Sequence, residues 1–161
     1  MNSKMIPVAV INPDAPVESL EAKQPPIDNG AEIYGKDGYF SAEQMQREWN
    51  KVWTESWLIA GVSTDLPELG DYFLFRVRSE SIIVTRTQEG IKAFYNVCPH
   101  RGARLLIEER GNKKVFVCPF HSWSFRNSGE LRTITDEETF QEPVICHRPG
   151  LTPVACEEHA G

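Results

Sequence analysis

Apolar residues recur at spacings of three and four through Ala42, Met45, Trp49, Val52 and Trp53, with Glu43, Gln46, Glu48 and Lys51 mostly on the other side. This is the period of an amphipathic helix. Ser41 stands where a hydroxyl can cap the first turn, and Gln44 three residues on can complete a capping box. The helix is therefore predicted to start at Ser41 and to end near Trp57, with its stripe in the core and the tryptophans as buried anchors. From Trp57 the period falls to two. Phe73, Phe75 and Val77 alternate with Leu74, Arg76 and Arg78, and a β-rich run follows at Ile82, Ile83, Val84 and Thr85. Turn chemistry at Gly70-Asp71, Gln88-Glu89-Gly90, Gly111-Asn112 and Asn127-Ser128-Gly129 predicts short strands paired as antiparallel hairpins.

Residues 1–37 differ from all of this. Pro7, Pro13, Pro16, Pro25 and Pro26 interrupt a stretch with no sustained period, which predicts an extended arm. The expected organisation is thus an arm over 1–37, an amphipathic helix and lead-in strand over 38–60, and a mostly β domain over 61–161.

At 161 residues and 40% hydrophobic content the chain suits one ordinary domain with a tail, and such a domain needs no disulfide staple. A net charge of −6 argues against a nucleic-acid footprint, which would show as clustered excess Lys and Arg. No apolar run reaches membrane-spanning length, and the start lacks the pattern of a secretory signal, so the expectation is a cytoplasmic protein without a membrane partner. In that compartment thiols stay reduced, which turns Cys98, Cys118, Cys146 and Cys156 from disulfide candidates into candidates for metal ligation, catalysis or burial.

Two of them stand beside histidines. Cys98-Pro99-His100-Arg101-Gly102 and Cys118-Pro119-Phe120-His121-Ser122-Trp123 each follow a predicted strand, Asn96-Val97 leading into the first and Val115-Phe116-Val117 into the second. A hairpin would bring both loops to one end of a sheet, so that two thiolates and two imidazoles converge. A pair of irons bridged by two sulfides takes four protein ligands, and one Cys and one His from each loop can place both thiolates on an inner iron and both imidazoles on an outer one. Pro99 and Pro119 stiffen the turns, and Gly102 allows a positive φ or a close backbone approach. A Cys2His2 set can also hold tetrahedral zinc, and Cys156-Glu157-Glu158-His159 repeats the Cys-x-x-His spacing.

The runs Tyr95-Asn96-Val97-Cys98-Pro99-His100-Arg101-Gly102-Ala103 and Cys118-Pro119-Phe120-His121-Ser122-Trp123 resemble the Rieske motif of ring-hydroxylating oxygenase α subunits. Trp57, Gly70-Asp71-Tyr72, Gly90 and Gly129-Glu130-Leu131 extend the likeness over residues 38–161, while Ser122 departs from the glycine more usual after the second histidine. The resemblance implies an antiparallel Rieske [2Fe-2S] β-sandwich with one N-terminal amphipathic helix, the cluster held by Cys98, His100, Cys118 and His121. Ala103 and Phe120 stand where respiratory-chain Rieske proteins carry a bracing disulfide, and Trp123 stands where they carry a hydroxyl to the cluster. A potential near the bottom of the range of roughly −150 to +300 mV is therefore expected.

The resemblance further implies an electron relay from a ferredoxin or flavin reductase to a mononuclear non-heme iron, in the oxygenase catalytic domain or a neighbouring α subunit, with a homo-oligomer in the full-length protein. Family members hold that iron with two His and one carboxylate. Beyond the four cluster ligands only His147 and His159 remain, without that motif, and residues 146–161 are similar to the family's lead into its catalytic domain. The expectation is a truncated oxygenase chain, inactive in hydroxylation by itself. Two other readings stay open: a free-standing Rieske ferredoxin-like carrier, which would not need the helix or the arm, and a zinc-holding interaction module. Arg101, Arg104, Lys113 and Lys114 lie near the ligand loops, as a docking spot for an acidic donor or as solvated charges.

Overall fold

A computed structural model of the chain describes residues 35–141 and 150–159. The arm expected over 1–37 lies almost entirely outside these residues, as do Cys146 and His147. The chain divides into two compact units, one up to Ser56 and one from Trp57 onward.

The described part of the first unit is largely helical. A single turn, α1 (Asp37–Phe40), precedes α2 (Ala42–Glu48), which runs directly into a π-helical turn over Trp49–Trp53. Ser41 caps α2 as expected, its hydroxyl accepting from the Gln44 amide at 3.3 Å. The reciprocal half of the box does not form, because the Gln44 side chain donates to Glu48 Oε1 at 3.0 Å instead. Helical structure stops at Trp53 rather than near Trp57, where Thr54 closes the π turn by bonding the Trp49 carbonyl with both its amide and its hydroxyl. The expected core stripe is not buried: Met45, Val52 and Trp53 are all exposed. The wider π turn breaks the spacing of three and four at Trp49, and periodicity reports only that a face is apolar, never that something covers it.

The second unit is antiparallel β. Residues 57–62 have no regular structure where a lead-in strand is expected, and a single 3-10 turn (Ser63–Asp65) follows. The strands are β1 (Asp71–Val77), β2 (Glu80–Thr87), β3 (Gly90–Tyr95), β4 (Arg110–Asn112), β5 (Val115–Val117), β6 (Ser124–Arg126), β7 (Leu131–Thr133) and β8 (Pro153–Val154). A second 3-10 turn covers Glu137–Thr139. One sheet has the order β4-β1-β2-β3-β8 and the other β5-β6-β7, with every pair antiparallel.

The turns at 88–89 and 127–128 join neighbouring strands as expected, and β1 and β2 join through Arg78-Ser79. Arg78, read as a strand position, sits in that turn at φ 54°. Gly111-Asn112 is strand rather than turn, because β4 pairs with β1 through Tyr72↔Gly111. A Cβ at Gly111 would stand 2.9 Å from the Tyr72 hydroxyl, so the glycine serves close packing there.

Tyr72, Leu74, Ile83 and Phe94 from the larger sheet bury against Phe116 and Phe125 from the smaller, in a core that also takes Cys98, Leu105, Leu106, Cys118 and Trp123. The other face of the larger sheet holds a second cluster, Leu66, Phe73, Ile82, Val84 and Ala93. Both faces of β1 are therefore apolar near its start, which is why Leu74 is buried beside Phe73 and no clean alternation appears. Among the described residues no helix is long and apolar enough to cross a membrane.

Candidate functional site

The first Cys-His loop leaves the end of β3. The Cys98 amide donates to the Ala103 carbonyl at 2.7 Å, and the Gly102 amide returns to the Cys98 carbonyl at 2.9 Å, with Gly102 at φ 73°. Backbone amides of His100 and Arg101 also point their hydrogens at the Cys98 sulfur. Asn96, 1% exposed, ties the two ends of this loop together. Its Oδ1 accepts from the Leu105 and Leu106 amides at 3.1 and 2.8 Å. Its Nδ2 donates to the Leu106 carbonyl at 2.7 Å and to Ser81 Oγ at 3.2 Å. All four bonds of one amide side chain are thus satisfied in the interior.

The second loop joins β5 to β6 and repeats the same backbone pattern. The Cys118 amide donates to the Trp123 carbonyl at 2.8 Å and the Ser122 amide to the Cys118 carbonyl at 3.0 Å, with Ser122 at φ 58°. The departure from glycine at Ser122 therefore falls on the one left-handed residue of the loop. The two loops come from different sheets, β3 belonging to one and β5-β6 to the other, rather than from a single hairpin. Convergence is achieved by packing the sheets.

Depth is graded across the site. Cys98 and Cys118 are 1% and 2% exposed, and the Cys118 thiol lies close enough to Cys98 to disfavour its ionisation. His100 and His121 are half-buried, their rings 4.8 Å apart at 66°. The Trp123 indole stacks on His100 at 4.6 Å and 7°. Phe140 meets His100 and Trp123 edge-on at 6.0 and 5.7 Å. His121 instead has the exposed ring of Phe120 against it at 4.0 Å, with the Arg101 guanidinium 5.6 Å over that ring.

Burial pushes the Cys98 thiol up to about 11, with the neighbouring Cys118 adding to the rise and the two backbone amides opposing it. A thiolate at that depth needs a cation against it. His100 is held below the ordinary imidazole value, first by desolvation and then by positive charge on His121 and Arg101, which favours the neutral ring that ligates metals. Among the described residues, His121 Nδ1 is the one buried side-chain nitrogen or oxygen without a hydrogen-bond partner. Such an atom is costly unless something binds it. Also among the described residues, no three Cys, His, Asp or Glu side chains converge tightly enough to hold one ion. A buried thiol pair beneath an imidazole pair, with one ring nitrogen unpartnered, fits a two-iron group with mixed ligands.

Cys156 lies apart from this arrangement, half-buried against the second core cluster, and His159 is exposed. Lys113 pairs with Glu108 at 3.5 Å and Arg110 with Asp65 at 3.1 Å, so part of the basic character near the loops is already balanced. The roles of Asn96, Phe120 and Phe140 escape the sequence reading. A polar residue closing an apolar strand before a Cys-His loop is the signal for Asn96, whereas Phe140 is brought to His100 only by tertiary packing.

Residues 56–147 match the Rieske [2Fe-2S] domain family. The chain is 33% identical over 127 residues to the carnitine monooxygenase oxygenase subunit of Acinetobacter baumannii, covering 76% of this chain and 33% of that protein. It is 37% identical over 115 residues to the large oxygenase component of the naphthalene 1,2-dioxygenase system of Pseudomonas aeruginosa, covering 70% and 26%. Among solved structures, a quaternary ammonium Rieske monooxygenase, CntA, superposes with a TM-score of 0.70 at 31% identity over 80% of this chain and 36% of that one. Naphthalene 1,2-dioxygenase with indole in its active site gives 0.67 at 36% identity over 73% and 27%. The chain spans about a third or less of the length of these curated relatives. With its paired Cys-His loops on packed antiparallel sheets, the chain belongs to the Rieske [2Fe-2S] domain family, and it matches the Rieske portion of oxygenase subunits.

Proposed function

We propose that this chain is the electron-transfer portion of a Rieske oxygenase, taking single electrons from a ferredoxin or flavin reductase and delivering them to a mononuclear non-heme iron outside the chain. In this reading Cys98 and Cys118 ligate the inner iron as thiolates, and His100 and His121 ligate the outer one. When bound, a [2Fe-2S] group supplies reversible one-electron storage. The protein holds two thiolates away from water, directs the His100 and Arg101 amides at one of them, and keeps both imidazoles near the surface. What carries the reading is the juxtaposition of two buried, neighbouring free thiols with two half-buried imidazoles 4.8 Å apart, one of them with an orphaned Nδ1. A ligand taken through one ring nitrogen leaves the other to carry a proton, so electron and proton uptake can couple at the same histidine.

The same proposal makes residues 1–37 an arm, 38–60 a helical lead-in and 61–161 the cluster domain, with 146–161 leading towards a catalytic domain and cytoplasmic residence throughout. Its relatives are named for carnitine and for naphthalene, so the ring substrate that the family resemblance implies is one of two substrate classes to test. The deciding experiment is anaerobic reconstitution with iron and sulfide. A red-brown chain with two irons, two acid-labile sulfides and a Rieske-type EPR signal on reduction is the expected result. A colourless chain holding one zinc would sink the proposal. His100→Ala and His121→Ala should lose the cluster while Cys156→Ser and His159→Ala keep it, and the reverse pattern would move the ligands elsewhere.

A further inference from the structure

The two imidazoles of the site are not equivalent, and the stacked side chain that distinguishes them is Trp123. Trp123 is 6% exposed and its indole lies nearly parallel to the His100 ring, 7° from coplanar at 4.6 Å. Its own orientation is fixed from two sides. Its carbonyl accepts the Cys118 amide, which locks its backbone to the second ligand loop. The edge of Phe140 then meets its ring at 74°. An indole anchored in the second loop therefore stacks on the histidine of the first, whereas His121, beyond the His100 ring itself, meets the tilted, exposed ring of Phe120.

We propose that Trp123 is a positioning residue for His100, holding the plane of that imidazole and setting the potential of the site through it. The inference rests on the reading that His100 is a ligand. The indole face is the most electron-rich aromatic surface a protein offers, and it favours positive charge stacked upon it. An imidazole on the more oxidised metal carries more positive charge than one on the reduced metal. The stack therefore favours the oxidised form and holds the potential down, through His100 and not His121.

The test uses the full chain loaded with iron and sulfide, with Trp123→Phe and Trp123→Leu beside the wild type. Phenylalanine keeps a weaker aromatic face, and leucine keeps apolar burial without one. Voltammetry should show the midpoint potential rising from wild type to Phe to Leu. Pulsed EPR of the reduced state should show one of the two histidine nitrogen couplings shifted and the other unchanged, whereas general loosening of the fold would move both. If Trp123→Leu fails to take up the cluster, the Phe variant decides alone, and its potential must lie above the wild type. A variant with full iron and sulfide whose potential is unchanged or lower, or whose two couplings move together, overturns the proposal. A wild-type chain that takes up no iron and sulfide removes the ligand reading instead, and that failure is visible before any variant is made.

Discussion

Between Asn96 and Leu106 the chain leaves a strand with no pairing strand to return to at once, whereas between Val117 and Ser124 it steps from β5 straight into β6, where those two residues face each other. Both loops nonetheless fold into the same hydrogen-bonded turn, in which the cysteine amide reaches the residue five positions on and the residue at four returns to the cysteine carbonyl. What differs is the anchor two residues before each cysteine. The first loop has Asn96, which substitutes side-chain hydrogen bonds for the missing strand partner. The second has Phe116, fully buried between the sheets and edge-on to Tyr72 at 6.1 Å, because its backbone is already held by the hairpin. One backbone device is thus supported by polar satisfaction in one place and by packing in the other.

The comparison can be broken at three points and set against a fourth outside it, in order of decreasing expected size. Phe116→Ala removes the apolar anchor and should cost about 3–5 kcal/mol in denaturant unfolding, because a large ring is deleted where little can collapse. A loss below about 1 kcal/mol would mean the hairpin alone holds the second loop. Asn96→Leu keeps the branched outline but strands two amides and a carbonyl, so a loss of about 2–3 kcal/mol is expected. Asn96→Asp should cost at least as much, since it keeps both acceptor bonds but loses both donors and sets a buried carboxylate oxygen against the Leu106 carbonyl. Equal stability of Leu and Asn at position 96 would refute the polar-pin account.

The third point exchanges the left-handed residues. Gly102→Ser forces a side chain into φ 73° and should destabilise by about 1 kcal/mol. Ser122→Gly relieves the same strain at φ 58° and should stabilise by up to about 1 kcal/mol, part of the relief being offset by greater freedom of glycine in the unfolded chain. The same sign for both exchanges would mean the two turns are not equivalent. The smallest effect lies away from both loops. Asp71 is held below its ordinary value by the Glu68 amide first and the Asn112 side chain second, where β4 meets β1. Its folded value is depressed, so its contribution is present at neutral pH and is lost as pH falls through that value, below 3.8. Acid titration of unfolding should therefore separate wild type from Asp71→Asn at neutral pH and bring them together as Asp71 protonates. A constant gap down to the lowest pH would show that the carboxylate charge is not what matters.

Local chemistry was legible in the residues and tertiary placement was not. The Cys-x-His and Cys-x-x-His spacings, the Ser41 cap and the strands around Phe73 and Ile83 each depend on neighbours within a few positions. Gly111 reads as a turn because glycine near asparagine usually makes one, and only the Tyr72 ring packed over it shows why a strand needs it there. The helix stripe was legible as apolar but not as exposed. Asn96 depends on partners ten residues ahead and fifteen behind, and Phe140 on a contact forty residues away, distances over which pattern carries no information.

The uneven aromatic cover also separates the two histidines in time. Phe120 is 59% exposed, with only the Arg101 guanidinium over its ring in place of close packing, and side chains so exposed change rotamer on the picosecond to nanosecond scale. Trp123 is locked into a close-packed interior and cannot turn without its neighbours moving as well. On timescales longer than such rotamer changes, His121 therefore presents a surface averaged over many arrangements of its cover, while His100 presents one.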